Sequence, residues 1–296
     1  MELTVGITTK NRPVALRRCV SSVVRCLPDA HIIVFDDGSD VPAEIQLTDG
    51  AVRVLRDAAA PGYIAGRNAI VAASVTALVL LLDDDAVIIE REAVEQAAAV
   101  IEGDPTIAAV GFAQAEADGR PWPAVMQPAR GERPMYVACF IGFAHMLRRD
   151  VFLSLEGYRS EFVFYGEEKD YCLRLLEAGY RTVYLPGARI AHIPDMAGRD
   201  PRRYVRYAMR NDCLGSLYNH PWPLAAAGVV LRFWRFTRMA RGIPGGDPGG
   251  LRWLATEVRR AVPGLRARRR PVSWRTVRHW WRLSRSAEPY AGTAHD

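Results

Sequence analysis

In 77-ALVLLLDDDAVII-89, five consecutive aliphatic residues, Leu78 to Leu82, run into Asp83, Asp84 and Asp85 before the chain turns apolar again. An unbroken aliphatic run suits a strand covered on both faces, as in a parallel sheet. Ligands of such sheets bind outside the carboxyl ends of the strands, so the three acids are expected at the rim of a crevice. Adjacent like charges repel, and a divalent metal is the cation expected to neutralise them. Taken alone, the triplet reads equally well as a solvated turn.

The flanks repeat the same rhythm. Strand-like TVGITT (4–9) leads into a helical 13-PVALRRCVSSVV-24 with Pro13 in its first turn, then into HIIVFDDGSD (31–40), a second strand ending in acids. A short strand at 52–55, a helix over 62–74, the strand into Asp83, a helix over 90–103 and a strand from Thr106 follow. This alternation predicts an α/β fold with a doubly wound, mostly parallel sheet flanked by helices. Residues 118–134, rich in Pro and Gly, read as an irregular loop, and 135–152 as one strand entering a helix. Both acid-ended strands point at the same sheet edge, where Asp36 and Asp37 are placed to accept hydrogen bonds from a nucleotide's base and ribose. An Asx turn is the alternative for that pair.

With 296 residues, 49% of them hydrophobic, the chain can bury one large α/β domain with appendages. Its five cysteines form no CxxC pair, and their odd number argues for a reducing cytoplasm over a secreted disulfide framework. The opening MELTVGITTKNRP lacks the basic and apolar regions of a signal peptide. No apolar run approaches the roughly 18–20 residues of a membrane span, since 224-LAAAGVVL-231 is interrupted by Arg232. Net charge is +6, and Lys10 and Lys169 are the only lysines. Much of the arginine lies beyond residue 199, which points to an anionic partner: phospholipid, lipid diphosphate or nucleic acid.

The segments 7-ITTKNRP-13, 36-DDGSD-40, 62-GYIAGRNAI-70, 83-DDD-85, 140-FIGFAHMLRRDVFLSLEGY-158, 166-GEEKDYCLRLLEAGYR-181 and 188-ARIAHI-193 occur in an order that resembles the inverting family 2 glycosyltransferases of the GT-A fold, close to their rhamnosyltransferase-like members. The resemblance covers residues 1 to about 220. It implies a nucleoside-diphosphate-sugar donor, with UDP- or dTDP-sugars expected, lying across the strand ends. It also implies Mg²⁺ or Mn²⁺ on the acidic triplet, with Asp85 as direct ligand and His192 completing the site. Asp83 would touch ribose or metal, and Thr8, Asp36, Asp37, Arg67 and Asp84 would line the nucleotide site.

Transfer with inversion needs a base that removes the acceptor's hydroxyl proton. The cluster 166-GEEKD-170 offers Glu167, Glu168 and Asp170 just before a helix read over 171–181, and the residues alone leave the choice among the three open. The family pattern here is Gly-Glu-Asp-x-Asp, so resemblance assigns the base to Glu168, a Glu where relatives carry Asp. Acids at a helix start also stabilise the dipole without any chemistry.

The sequence divides into a catalytic part over 1–220 and a basic, Arg- and Trp-rich helical part over 221–296, with 242-GIPGGDPGG-250 as a break. The basic helices suit either an anionic membrane surface or a solvated face folded back on the catalytic part. The expected activity is metal-dependent hexosyl or deoxyhexosyl transfer to a hydroxyl of a glycan, lipid-linked or small-molecule acceptor, in the cytoplasm or at the inner face of the cell membrane. A sugar nucleotidylyltransferase should open with a Gly-rich phosphate loop, and none is found. A nucleic-acid-binding protein would leave both acidic clusters unexplained, because carboxylates repel a phosphate backbone.

Overall fold

The computed structural model describes residues 2–44, 52–194 and 200–292. Its strands are β1 (Leu3–Thr9), β2 (His31–Asp36), β3 (Val52–Arg56), β4 (Leu78–Asp83), β5 (Ala86–Ile88), β6 (Ile107–Ala115), β7 (Met135–Val137), β8 (Ala144–Arg148), β9 (Arg181–His192) and β10 (Glu288–Pro289). Its helices are α1 (Pro13–Cys26), α2 (Tyr63–Ala73), α3 (Arg91–Gly103), α4 (Arg149–Ser154), α5 (Glu167–Glu177), α6 (Pro201–Asn219), α7 (Leu224–Arg241), α8 (Gly250–Ala261), α9 (Leu265–Arg268) and α10 (Trp274–Arg285).

The strands join one sheet in the order β10-β7-β9-β6-β8-β4-β1-β2-β3, with β5 pairing β9. β5, β7 and β8 run against the other strands, so the sheet is mostly parallel in direction. β1 is buried along its whole length and β4 up to Asp83, as expected for strands covered on both faces. One face packs Val5, Ile7, Leu80 and Leu82 against α1 and α3; the other packs Val79 and Leu81 with Ile64 and Ile70 of α2.

Two glycines set how α2 meets the sheet. A Cβ on Gly66 would lie 2.5 Å from the Phe35 ring, and one on Gly6 would lie 2.3 Å from Ile70 Cγ2. The helix therefore seats against bare backbone, and Arg67, next in sequence, is carried inward until only 2% of it is exposed.

Two local expectations are corrected. The run 135–152 is two strands, β7 and β8, parted by residues 138–143, before the short α4. The acids of 167–170 lie inside the first turn of α5, which begins at Glu167 and not after the cluster. The glycine-rich break ends at α8, whose Leu254 is fully buried with Val205, Met209, Cys213 and Phe236. α6 and α7, on either side of residue 220, thus share one core. Farther on, Val272 and Val277 pack on Leu173 of α5, and β10 returns to pair with β7.

Candidate active site

β1, β2 and β4 are parallel and in register at their carboxyl ends, where Thr8 lies opposite both Phe35 and Asp83. The chain leaves β4 through Asp83, Asp84 and Asp85 and turns at once into β5, which pairs with the end of β9 and sets Ala86 beside His192. His192, far off in sequence, is thereby delivered to the acidic triplet.

Arginine neutralises much of that triplet. Arg67 donates to Asp83 Oδ1 at 2.7 Å, and Arg12 donates to Asp84 Oδ1 at 2.5 Å and to Asp85 Oδ2 at 2.9 Å. Thr9 Oγ1 donates to the other oxygen of Asp84 at 2.8 Å. The three carboxyls differ in consequence. Desolvation raises Asp83 even though a third of its side chain is exposed, with Arg67 opposing and Asp85 reinforcing. Desolvation also raises Asp84, to about 7, against the nearby charge of Arg12. At Asp85 desolvation is outweighed by His192 and Arg12, which bring it down to about 2.

Asp85 Oδ1 is buried and accepts no hydrogen bond. It faces His192 Nε2 at 3.4 Å. The imidazole is fixed from behind: Nδ1 lies 2.7 Å from Gln114 Oε1, and Gln114 Nε2 donates to the Met126 carbonyl at 2.5 Å, so the amide turns its oxygen to the ring. Nδ1 therefore carries a hydrogen, and Nε2 is the ring atom turned toward Asp85 Oδ1. The ring is stacked between Trp122 and Phe143, with centroids 5.2 and 4.8 Å away. With Nε2 unprotonated, these two atoms 3.4 Å apart would suit a cation bound between them. No third His, Cys, Asp or Glu joins them among the described residues. A hard divalent ion held here would complete its shell with water and phosphate oxygens, the usual habit of Mg²⁺.

A second constellation is tied to the first through Arg67. Besides Asp83, this guanidinium donates to Glu167 Oε1 and to the Gly142 carbonyl, each at 2.7 Å. Tyr63 lies beneath it, 4.7 Å from ring centroid to guanidinium carbon, and its hydroxyl donates to Glu167 Oε2 at 3.3 Å. Burial works against the Arg67 charge, but Asp83 and Glu167 outweigh it and hold its pKa above the usual arginine value. Desolvation and the charge of Glu168 push Glu167 up. The guanidinium favours Glu167 ionised, since a proton there would leave a buried cation with Asp83 as its one counter-ion.

The three acids at the start of α5 are thus unlike one another. Glu167 is fully buried and bound to Arg67 and Tyr63. Asp170 is held by Arg159, Arg174 and Asn219 at 2.6–3.0 Å. Glu168 is half-buried, and its carboxylate makes no hydrogen bond or ion pair with a described residue. It lies over Gly142, where a Cβ would come within 2.0 Å of Glu168 Oε1. The absence of a side chain at 142 is what leaves room for it.

The remaining expected residues are placed as follows. Asp36 is fully buried and accepts from Ser39 N at 2.8 Å, Ala43 N at 3.0 Å and Arg56 Nη1 at 2.7 Å, so it shapes the loop after β2. Asp37 accepts from the Gly62 amide at 2.7 Å, fixing the entry to α2. A cavity of about 380 Å³ opens beside them, lined in part by Thr9, Asn11, Arg12, Ser39 and Ala43. Sequence reasoning missed Arg12, Thr9, Tyr63, Gln114, Trp122 and Phe143. Arg12 and Tyr63 lay within quoted segments, but only the fold gives them partners; Gln114 and Trp122 carried no local signal.

A family model described as "Glycosyl transferase family 2" matches residues 4–155, just over half of the chain. The chain belongs to this family. Its matched part contains β1 through α4, and with them the acidic triplet, Arg12 and Arg67. A pre-mycofactocin glycosyltransferase of Mycobacterium tuberculosis H37Rv is 31% identical over 271 residues, covering 82% of this chain and 54% of that protein. The chain thus spans about half the length of that relative. Among solved structures, GalNAc-T7 with UDP, GalNAc and Mn²⁺ superposes with a TM-score of 0.63 at 18% identity, over 89% of this chain and 57% of that one. The mannosyltransferase PcManGT of Pyrobaculum calidifontis, with GDP-Man and Mn²⁺, superposes at 0.57 and 15% identity, over 96% and 86%. These likenesses identify the fold as GT-A.

Proposed function

We propose that the protein transfers a sugar, with inversion, from a nucleoside-diphosphate-sugar to a hydroxyl of a glycan, lipid-linked or natural-product acceptor. The observation that carries this reading is the Arg67 guanidinium, which binds Asp83 and Glu167 at once. It draws a strand-end acid cluster and a helix-start acid cluster into one crevice, as the reaction requires of a leaving-group site and a base. UDP or GDP-mannose in solved relatives supports a nucleotide-sugar donor, and we favour UDP- or dTDP-sugars.

In this reading the nucleotide enters the cavity beside Thr9, Arg12 and Ser39, walled by the loop that Asp36 shapes, with Thr8 and Asp37 nearby on the strand ends. Its diphosphate reaches Asp85 and His192, which would hold Mg²⁺ or Mn²⁺. A divalent ion there supplies positive charge to the departing diphosphate. Glu168 is the base. A proton on Glu167 or Asp170 would break a buried ion pair, whereas Glu168 can take one without losing a partner among the described residues. The α5 N-terminus favours negative charge at this end of the helix. Arg67 and Tyr63 hold the helix start in place, and Gly142 gives the carboxylate its room.

The test is nucleoside diphosphate release from a panel of donor sugars, with Mn²⁺, Mg²⁺ or EDTA, and calorimetry of nucleoside diphosphate binding under the same conditions. Release by native protein, loss of release and of tight binding in EDTA, and product anomers of opposite configuration by NMR are expected. Binding that is equal in EDTA and Mn²⁺ would remove the metal from this reading; retained configuration would remove the single-base scheme.

A further inference from the structure

The helix α7 carries apolar residues on two faces. Ala225, Gly228 and Phe236 are buried, and a Cβ on Gly228 would lie 2.7 Å from Ser216 Oγ of α6. On the other side Val230 is 70%, Leu231 46% and Trp234 53% exposed. At 3.6 residues per turn these share one stripe, which continues through Arg238 and Arg241 with Arg235 at its flank. All three arginines are exposed, and none forms an ion pair with a described residue. Arg238 lies over the Trp234 ring, 5.0 Å from its centroid.

Burying this stripe in α7's own core would remove apolar area from water, yet the close α6–α7 contact through Gly228 uses the opposite face. The stripe is therefore apolar surface left for something else, with cations at one end. Charge identifies the occupant. Beyond residue 199 the chain has nineteen arginines against six acids, whereas residues 1–199 carry more acids than bases. Self-pairing of this region would bring like charges together. No helix of the described residues is long and apolar enough to cross a membrane.

We infer that the outward face of α7 docks on an anionic phospholipid surface, Val230, Leu231 and Trp234 entering the headgroup–acyl boundary while Arg235, Arg238 and Arg241 meet phosphates. This matches the chemistry of interfacial helices, which combine shallow apolar insertion with attraction to anionic lipid. The docking face lies one helix from the proposed reaction crevice. On α6, Asn211 donates to the carbonyls of Phe162, Phe164 and Tyr165, the loop that leads into α5, and Ser216 receives α7. Membrane docking would bring the base-bearing helix close to the lipid surface. The inference concerns binding, and it stands or falls without the catalytic reading.

The experiment is co-sedimentation of the full chain with vesicles of phosphatidylcholine, with and without phosphatidylglycerol, at low and high salt. Native protein should sediment with the mixed vesicles alone and be released by salt. Replacing Arg235, Arg238 and Arg241 by Gln together should weaken partitioning on the order of a hundredfold. Trp234→Ser should abolish quenching of tryptophan emission by brominated lipid. The same loss of charge at exposed Arg53, Arg120 and Arg130 should leave partitioning within about twofold. All these positions are exposed, and unchanged circular dichroism confirms that the fold is kept. Equal partitioning of the α7 and control triples, indifference to phosphatidylglycerol, or a Trp234-dependent oligomer in lipid-free light scattering would each overturn the proposal.

Discussion

The molecule holds two clusters of three acids, and it treats them oppositely. At 83–85 each carboxylate has an arginine, yet Asp85 keeps one buried oxygen without a donor, turned toward His192. At 167–170 two carboxylates are saturated by Arg67, Arg159 and Arg174, and one whole carboxylate, Glu168, has no hydrogen-bond or ion-pair partner among the described residues. The first arrangement suits the holding of a cation; the second suits the acceptance of a proton. Adjacent charges of one sign become distinct reagents through the partners each is given, and Arg67 serves both clusters.

The sharpest test of this contrast is Glu168→Gln, which keeps shape but cannot accept a proton. It should lower kcat by about 10² to 10⁴ with donor affinity little changed. Asp170→Asn should act mainly through stability, seen in thermal melting, because its partners are structural. A dead but fully stable Asp170→Asn beside an active Glu168→Gln would reverse the contrast within the helix cluster.

Arg67→Met attacks the link between the clusters. Removing one partner of a buried pair leaves Glu167 uncompensated and should cost about 3–5 kcal/mol of stability in denaturant unfolding. A loss under about 1 kcal/mol would mean that the clusters are held together by packing alone.

Gly142→Ala tests the space around the proposed base, Glu168, without replacing its carboxylate. The added methyl must displace the end of the Glu168 side chain, so turnover should fall about a hundredfold while the melting temperature holds. Full activity in the folded variant would show that the position over Gly142 is not the working position of Glu168.

The smallest expected effect concerns Arg12, the guanidinium already seated on Asp84 and Asp85. It competes in charge with any metal bound at Asp85. Arg12→Gln should therefore tighten Mn²⁺ binding in the presence of nucleoside diphosphate by about fivefold, read by electron paramagnetic resonance. Weaker binding would mean that Arg12 serves to orient Asp85 more than to oppose the ion.

What the sequence determined by itself was local or periodic. The aliphatic run of Leu78–Leu82 specifies a strand buried on both faces, Pro13 opens α1, and two strands ending in acids place a site at one sheet edge. Asp85, His192 and the 166–170 cluster were legible because each lies in a recognisable segment. What only the tertiary structure decided was pairing. Arg12 and Asp84 are 72 residues apart and Arg67 and Glu167 are 100 apart, so no short-range pattern shows which guanidinium each acid receives or that Glu168 receives none from the described residues. The start of α5 at Glu167 escaped because its first turn is held by Arg67, Tyr63 and the Asn211-bound loop, contacts that lie far away in sequence. The outward stripe of α7 escaped for a related reason. Its sequence offers apolar residues on two faces, and the close approach of Gly228 to Ser216, with Phe236 buried beside Leu254, selects one of them for the core.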